Sequence, residues 1–380
     1  MNDERAACTI IAKNYLSFAR TLAHSFLAHH ADYKFYVLIV DEFAGYVEPV
    51  DESFEIIELA DLNIPDRERL CFRYDVKELC TAVKADLLSY LINKQSISRL
   101  LYLDPDILVT GSLDQLYEQL GKFDIVLTPH LDKDYPADGL LPDDGFILRA
   151  GQFNLGFIGV NSSENALAFL SWWKTKLYEN CLVDLLSGYF VDQKFIDFVP
   201  LFFANFFIER DTGYNVAYWN LHSRKLTKSG DTWLCNSGRL HFFHFSGYVP
   251  GGHLISSHIP ASLARHVFSN RSDLKELFVE YSQRLLSNGY TESIKWPYSY
   301  DRFNSGEAIT NATRRYYRAL EKKGSAPAEP FRSDGLRQRE FDNGNDASAE
   351  KQLNAILNSR AWSWVCRYGR FKNRISRMFR

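Results

Sequence analysis

RLLYLDPDILV, residues 99–109, decides the fold prediction for this chain. It begins with a largely apolar run of strand length, and two aspartates, Asp104 and Asp106, follow at once. Side chains at positions i and i+2 of an extended segment point the same way, so the two carboxylates can converge on one cation. The stretch therefore predicts a buried strand that delivers a pair of acidic side chains to one edge of a sheet.

Strand-like and helix-like patterns alternate around this stretch. Such repeated βα units predict an α/β fold with an open, mostly parallel sheet flanked by helices. Sheets of this kind bind ligands beyond the carboxyl ends of their strands, where Asp104 and Asp106 are expected. The other predicted elements are strands at 7–12, 34–40, 54–59, 124–129, 153–160, 205–210 and 239–245 and helices at 15–29, 76–92 and 164–178.

Composition divides the chain into four predicted regions. An α/β domain is predicted over 1–258 and a helical accessory region over 259–323, which includes an aromatic loop at 296–303. Residues 324–350 are rich in Gly, Pro, Ser, Asn and charged residues, which is typical of a flexible linker. The last region, 351–380, has the pattern of a basic amphipathic helix.

Composition also excludes several classes of protein. The 380 residues carry a formal net charge of −3, which gives no reason to expect nucleic-acid binding. The six cysteines are scattered without a CxxC pair, so neither a zinc knuckle nor a disulfide framework is indicated, in keeping with a reducing cytosol. No signal-peptide pattern opens the chain, and no apolar run approaches about 18 residues. We therefore expect a cytoplasmic protein that is soluble or peripheral to a membrane.

The paired aspartates indicate metal chemistry at the sheet edge. Carboxylate oxygens suit Mg²⁺ or Mn²⁺, and such a cation keeps coordination positions for the oxygens of a diphosphate. From the residues alone, Asp104 and Asp106 also fit a solvated turn at a strand end, or a phosphatase of the haloacid-dehalogenase type. A phosphatase strand of this kind would normally open its domain, whereas this one follows three βα units.

Motifs along residues 6–255 share one family pattern. In their order they resemble the family-8-type retaining glycosyltransferases, which have the GT-A fold, and related bacterial surface-polysaccharide transferases. Several motifs in the right order are more specific than any one of them. They are TIIAKNYLSFA at 9–19, YLDPDILV at 102–109, FNLGFIGVN at 153–161, VDQKF at 191–195 and HFSG at 244–247.

The resemblance implies a nucleotide pocket after the first strand. Ala12, Asn14 and Tyr15 would line the base and the ribose, and the ring of Tyr15 would stack on the base. From the residues alone, Tyr15 is equally well explained as an aromatic side chain that packs at a helix start.

The resemblance also implies the residues around the donor sugar. Asn154 would face the sugar, and Gly156 would let the backbone approach the ligand closely. Asp192 and Gln193 would lie near the anomeric carbon, so Asp192, Gln193 and Asn154 form the predicted catalytic set. Without the resemblance, Gly156 is explained as a bulge glycine, and Asp192 with Gln193 as a helix N-cap.

The family pattern adds a histidine to the metal site. His244 would join Asp104 and Asp106, and a nitrogen ligand shifts the preference from Mg²⁺ toward Mn²⁺. Asp104 would also contact the donor. The sequence departs from the family because HFSGYVPGG, residues 244–252, lacks the lysine that holds the diphosphate. Lys84, in a predicted helix, is the first candidate to contact the donor in its place.

The segment 351–380 predicts contact with a membrane. Its apolar residues form one stripe of a helix, and basic residues cover much of the remaining surface. We predict that this helix lies in an anionic membrane interface on the cytoplasmic face, although docking on the protein's own body or on a partner helix would explain the same pattern. The stripe consists of Leu357, Ala361, Trp364, Tyr368, Phe371, Ile375 and Met378.

Together these features predict a metal-dependent glycosyltransferase. It would move a hexose, with retention, from a UDP-sugar to a glycan or lipid-linked glycan acceptor in surface-polysaccharide or lipopolysaccharide biosynthesis. Aromatic side chains in YNVAYWN, 214–220, and in the loop 296–303 would line the acceptor, although the same tyrosines and tryptophans would equally suit the protein core. The alternatives are a phosphatase or nucleotidyltransferase with the same aspartate pair, and a catalytically dead protein that binds nucleotides or glycans.

Overall fold

The computed structural model describes residues 4–332 and Leu336. The chain falls into two compact units, of which the first ends at Asp301 and the second begins at Arg302. The predicted membrane-binding helix at 351–380 lies outside the described residues, as does most of the predicted linker. Within the described part, no helix combines the length and the apolar character needed to cross a bilayer.

The described strands all belong to the first unit. They are β1 Arg5–Ile11, β2 Lys34–Ile39, β3 Glu55–Glu58, β4 Arg99–Leu103, β5 Ile107–Val109, β6 Ile125–Pro129, β7 Phe153–Asn161, β8 Val183–Asp184, β9 Tyr189–Phe190, β10 Phe206–Ile208, β11 Leu226–Ser229, β12 Thr232–Cys235, β13 Gly238–Arg239 and β14 Phe242–His244.

Seven of these strands form a central sheet, in the order β10-β6-β7-β4-β1-β2-β3. Neighbouring strands are parallel except at β7, which is antiparallel to both β4 and β6. The prediction of an open, mostly parallel sheet is therefore confirmed.

The α-helices of the described residues are α1 Leu16–Leu27, α2 Arg67–Arg73, α3 Val76–Ala82, α4 Lys84–Lys94, α5 Asp114–Leu120, α6 Asp144–Ala150, α7 Glu164–Asn180, α8 Val199–Phe202, α9 Lys275–Ser287, α10 Tyr290–Ser293 and α11 Asn311–Lys322.

Burial explains why the inner strands of this sheet are largely apolar. Every residue of β1 from Ala6 to Ile11 is buried, as expected for a strand that is covered on both faces of its sheet. The apolar side of α1, which includes Leu22 and Phe26, belongs to the same core cluster as residues of β1 and β2. The first βα unit thus fixes the loop that carries the predicted nucleotide pocket.

One predicted helix is two helices in the structure. The apolar period predicts a single helix over 76–92, but α3 ends and α4 begins around Val83, whose φ of −92° and ψ of 6° lie outside helical values. The hydrogen bonds Val83 N–H to Leu79 C=O and Leu87 N–H to Val83 C=O persist through the break, so the apolar spacing continues and does not reveal it. Lys84 becomes the first residue of α4 and is buried.

One predicted strand is also two. The run at 239–245 divides into β13, which pairs with β12, and β14, which pairs with β5 in a different sheet. The division matters for function because β5 follows the acidic pair directly.

The region predicted as helical, 259–323, spans the boundary between the two units. Its helices α9 and α10 belong to the first unit and α11 belongs to the second. The aromatic loop at 296–303 lies between α10 and α11, as predicted. The functional boundaries proposed at residues 258, 323 and 350 stay predictions.

Candidate active site

Asp104 and Asp106 lie in a tight turn at the carboxyl end of β4. The Ile107 N–H donates to the carbonyl of Asp104 (3.2 Å), which closes the turn. β5 then pairs antiparallel with β14, and His244 stands opposite Ile107 in that register. Backbone pairing therefore brings to the sheet edge a histidine that is far from the aspartates in sequence.

The three side chains form the group that could hold a metal ion within the described part of the chain. The Nε2 of His244 lies 3.0 Å from Oδ1 of Asp106 and 3.8 Å from Oδ2 of Asp104. One candidate ligand atom from each residue lies within 4.8 Å of the other two. Two carboxylates and one imidazole are a donor set that suits Mn²⁺.

The orientation of His244 is fixed from behind by Asn215. The Nδ1 of His244 lies 3.3 Å from Oδ1 of Asn215, whose amide nitrogen donates to Thr128 Oγ1 (2.8 Å) and to Asn154 Oδ1 (3.0 Å). Because the Asn215 oxygen faces the ring, Nδ1 carries the proton. The lone pair of Nε2 is then available to a cation on the carboxylate side.

The pKa shifts at this group reflect the attraction between His244 and the two carboxylates. Burial raises the pKa of Asp106, but the charge and hydrogen bond of His244 outweigh it and the pKa lies below its ordinary value. Burial lowers the pKa of His244, but Asp106 and then Asp104 outweigh it and the pKa lies above its ordinary value. A bound divalent cation would take the place of this proton.

Lys84 and Asp192 form a buried ion pair beside the acidic turn. The Nζ of Lys84 lies 2.5 Å from Asp192 Oδ2 and 3.8 Å from Asp104 Oδ1, and it donates to the carbonyl of Leu155 (2.8 Å). The two paired side chains are 1% and 3% exposed. Burial lowers the pKa of Lys84, but Asp192 and Asp104 raise it more. In this geometry Lys84 holds the carboxylate of Asp192 in position. The contact of Lys84 with a donor stays a prediction.

Gln193 and Asn154 are adjacent, and their amides are largely used within the protein. The oxygen of Gln193 accepts from the Leu155 N–H (3.1 Å) and from the Asn154 amide (3.2 Å), while its own amide donates to the Ala150 carbonyl (2.8 Å). The Asn154 amide also lies 3.3 Å from Nε2 of His130. Both residues therefore hold the start of β7 in place, and their contacts with a sugar stay predictions.

Gly156 is required by the packing of His244. A Cβ at this position would lie 2.3 Å from Cε1 and 2.6 Å from Nδ1 of His244, and 2.8 Å from Oδ1 of Asn154. Distances this short are incompatible with a side chain. The packing of the His244 ring therefore explains why position 156 is a glycine, which the motif alone did not suggest.

The predicted nucleotide pocket follows β1, which pairs parallel with β4, so the pocket and the acidic turn lie at the same edge of the sheet. Ala12 is 3% exposed, and Oδ1 of Asn14 is buried without a hydrogen-bond partner among the described residues. The ring of Tyr15 is 39% exposed and stacks on Phe18 with the ring centroids 4.5 Å apart. Burial and then the charge of Asp106 raise the pKa of Tyr15 to about 12.

Three residues beside this pocket, Lys13, Asp41 and Ser299, were not predicted from the sequence. Lys13 is 2% exposed, and its Nζ lies 2.8 Å from Asp41 Oδ2 and 2.9 Å from Ser299 Oγ. Asp41 follows β2 much as Asp104 follows β4, so its position at the end of a strand was a signal that could have identified it. Ser299 carried no such signal, because it reaches the pocket only through tertiary folding.

The segment 214–220, predicted to line the acceptor, is part of the core. Tyr214, Tyr218 and Trp219 are 1%, 7% and 3% exposed. The Trp219 ring contacts the His244 ring edge to face, with centroids 5.2 Å apart. The Trp219 ring therefore supports His244, and the burial of all three rings favours the core alternative over an open wall for a sugar.

Relatives of the chain are found at low sequence identity. No family model matches it. It is 26% identical over 254 residues to a Bacillus subtilis (strain 168) protein named "Uncharacterized protein YfnF". The aligned region covers 64% of this chain and 81% of that protein. It is 23% identical over 246 residues to "Uncharacterized protein YfnD" of the same organism, with 63% and 77% covered.

Solved structures of two glycosyltransferases show distant similarity to the chain. GlyE of Streptococcus pneumoniae TIGR4 is 17% identical with a TM-score of 0.40, covering 80% of this chain and 67% of GlyE. The galactosyltransferase LgtC is 16% identical with a TM-score of 0.41, covering 73% and 95%. Both are glycosyltransferases.

Proposed function

We propose that this chain is a metal-dependent glycosyltransferase whose donor is a nucleotide-diphosphate sugar, specifically a UDP-hexose. The observation that carries the proposal is the convergence of Asp104, Asp106 and His244 at the carboxyl edge of the sheet, where the exposed ring of Tyr15 follows the neighbouring parallel strand β1. A cation site beside an aromatic surface suits a ligand that joins a diphosphate to a base.

The cation would be held by Asp104, Asp106 and His244, with Mn²⁺ as the proposed ion and Mg²⁺ as the alternative. When bound, it supplies positive charge to the diphosphate as the bond between sugar and phosphate breaks. The chain's own part is to hold the ligands still: Asn215 fixes the tautomer of His244, and the Tyr102 hydroxyl donates to Asp104 Oδ1 (2.8 Å).

On the sugar side we assign Asp192, Gln193 and Asn154 to orientation of the donor. Lys84 neutralises Asp192 and holds it beside the acidic turn, so that a carboxylate oxygen is kept at a defined position. We propose retention as the stereochemical outcome. No protein nucleophile is assigned, and the leaving phosphate would direct the acceptor hydroxyl.

The proposed acceptor is a glycan, free or attached to a lipid, in the assembly of a surface polysaccharide or lipopolysaccharide. The basic amphipathic pattern at 351–380 supports peripheral attachment to the cytoplasmic face of an anionic membrane.

Calorimetric titration with UDP in the presence and absence of Mn²⁺, followed by a donor-hydrolysis screen of nucleotide sugars, tests this proposal. We expect UDP to bind only with the metal, and one nucleotide sugar to be cleaved in preference to the others. Absence of UDP binding in both conditions would contradict the proposal. Cleavage of aryl phosphates with Mg²⁺ would favour a phosphatase, and binding without turnover a dead protein.

The variant Asp106→Asn is the matched test of the metal site. It keeps the side-chain size but removes one anionic ligand, so we expect metal-dependent turnover to be abolished and the circular-dichroism spectrum to stay unchanged. Donor hydrolysis at the wild-type rate would end the assignment of Asp106 as a ligand.

A further inference from the structure

A cavity of about 510 Å³ lies between α9 and the small antiparallel sheet of β11, β12 and β13. Val109 and Thr110, at the far end of β5 from the acidic turn, also line it. Thr110 comes four residues after Asp106, so a strand rise of about 3.3 Å per residue puts the two roughly 13 Å apart. Small-molecule sites typically have volumes of about 300–1,000 Å³. The cavity is therefore large enough for a ligand and separate from the metal group.

Ion pairs and a hydrogen bond fix the walls of this cavity. Lys228 Nζ lies 2.7 Å from Glu276 Oε1 and 5.0 Å from the centroid of the Trp233 ring. The Trp233 Nε1–H donates to Glu280 Oε2 (3.3 Å), and the Arg284 guanidinium lies 3.0 Å from Glu280 Oε1. These contacts join α9 to β11 and β12. The walls are therefore held together before any ligand binds, which lowers the cost of binding.

Arg239 is a cation of this cavity without a partner in the described part of the chain. Its side chain is exposed, and its guanidinium takes part in no hydrogen bond or ion pair among the described residues. A Cβ at Gly111 would lie 2.6 Å from Nε and 3.1 Å from Cδ of Arg239, so the arginine side chain lies directly against the Gly111 backbone. The glycine therefore lets the guanidinium lie at the cavity wall, where an anionic ligand would satisfy it.

His29 lines the same cavity, two residues beyond the end of α1. Its side chain is exposed, and its ring makes no hydrogen bond within the residues that the structure describes. Partial burial, and then the charges of Arg239 and Arg284, lower the pKa of His29. The cavity thus combines an imidazole with two guanidinium groups, of which that of Arg284 has a carboxylate partner. This combination favours an anionic group on the ligand.

Hydrogen-bonding groups of other kinds accompany these cations. Asp231 and Gln283 line the cavity with exposed side chains, and neither side chain forms a hydrogen bond or an ion pair among residues 4–332. A carboxylate accepts hydrogen bonds from hydroxyl groups, and an amide both accepts and donates them. A simple anion would leave these groups unused, and Asp231 would repel it. The lining therefore suits a sugar, whose hydroxyls can bind Asp231 and Gln283 while an anionic substituent binds Arg239.

We propose that this cavity binds a sugar residue that carries a carboxylate or a phosphate group. Arg239 and His29 bind the anionic group, because a guanidinium presents two parallel N–H donors to a pair of oxygens. Asp231 and Gln283 bind hydroxyls of the sugar ring. The ligand is an acidic glycan or a sugar phosphate. Its binding here does not depend on the proposed function, since no residue of the metal group lines the cavity.

Calorimetric titrations of the full chain test the proposal, with glucuronate and glucose 6-phosphate as the two anionic sugars. Glucose, acetate and inorganic phosphate are the matched partial ligands. We expect at least one anionic sugar to bind about tenfold more tightly than glucose and than its own isolated anion, since a hydrogen bond to a charged group contributes on this scale. Tighter binding of glucuronate indicates an acidic glycan, and tighter binding of glucose 6-phosphate a sugar phosphate. If neither anionic sugar binds more tightly than its two partial ligands, the proposal is overturned.

Arg239→Gln and His29→Gln each remove a group that binds the anion, from an exposed side chain. We expect both variants to bind the anionic sugar more weakly, Arg239→Gln by about tenfold or more, with the affinity for glucose unchanged. Arg315→Gln and His253→Gln are the matched controls, because both side chains are exposed and neither lines the cavity. An affinity for the anionic sugar that is the same in Arg239→Gln as in Arg315→Gln overturns the proposal.

Competition with UDP separates this cavity from the metal group. Saturating UDP with Mn²⁺ should leave the affinity for the anionic sugar unchanged. Displacement of the sugar by UDP would place it at the nucleotide site and overturn the proposal. Failure of the chain to bind UDP at all would contradict the proposed function and leave the sugar site intact.

Discussion

At the scale of single residues, the candidate site depends on how closely His244 is packed. Asn215 contacts its Nδ1, the Trp219 ring lies against it, and Gly156 leaves room for its Cε1. The ring therefore has one orientation, in which Nε2 faces Asp104 and Asp106. A metal ligand held in this way needs no reorganisation when the cation arrives.

Gly156→Ala should damage the metal site without touching a ligand. The new methyl group would displace the His244 ring, so we expect weaker Mn²⁺-dependent binding of UDP and a loss of about 1–3 kcal/mol in the free energy of unfolding. Calorimetry and urea denaturation measure the two effects. Gly238→Ala is the control, because a Cβ at Gly238 meets no atom nearer than 3.9 Å. Equal Mn²⁺ dependence in both variants would contradict the packing argument.

Lys84→Met should destabilise the protein strongly. It leaves Asp192 buried without an opposite charge, and breaking a buried pair in this way costs about 3–5 kcal/mol. Urea denaturation at neutral pH measures the loss, and the double variant Lys84→Met with Asp192→Asn should recover part of it. Lys228→Met removes a surface ion pair with Glu276 and should have little effect. If Lys84→Met lowers the free energy of unfolding as little as Lys228→Met does, the buried ion pair does not stabilise the protein as proposed.

At the scale of elements, the site depends on which strands meet at the edge of the central sheet. The apolar runs predicted the strands because burial on both faces leaves no alternation to obscure them. The motifs predicted Asp104, Asp106 and His244 because each stands at a strand end. Asn215 carried no such signal, since it meets His244 from 29 residues away and only through folding.

Phe26→Ala tests whether α1 is a structural support for the first βα unit. Phe26 is fully buried and packs against Phe35 with ring centroids 5.4 Å apart. We expect a loss of about 3–5 kcal/mol in the free energy of unfolding, measured in urea, with UDP affinity of the folded protein unchanged. Phe26→Leu should lose much less. If the free energy of UDP binding falls by as much as the free energy of unfolding, α1 also shapes the pocket directly.

At the scale of the whole molecule, the proposed attachment to a membrane rests on the amino-acid sequence of 351–380. Co-sedimentation with anionic liposomes, comparing the full chain with a chain that ends at residue 350, measures its contribution. We expect the full chain to sediment and the shortened chain to stay in solution, with neutral liposomes binding neither strongly. Equal sedimentation of both chains would contradict the proposal that residues 351–380 bind the membrane.

The central claim is that one cation at the sheet edge links the carboxylates to a nucleotide diphosphate. Anomalous X-ray diffraction from crystals soaked with Mn²⁺ and UDP tests it most directly. We expect a manganese peak coordinated by Asp104, Asp106 and His244 and by diphosphate oxygens, with the base against Tyr15. A nucleotide bound elsewhere, or manganese absent from these three side chains, would contradict it.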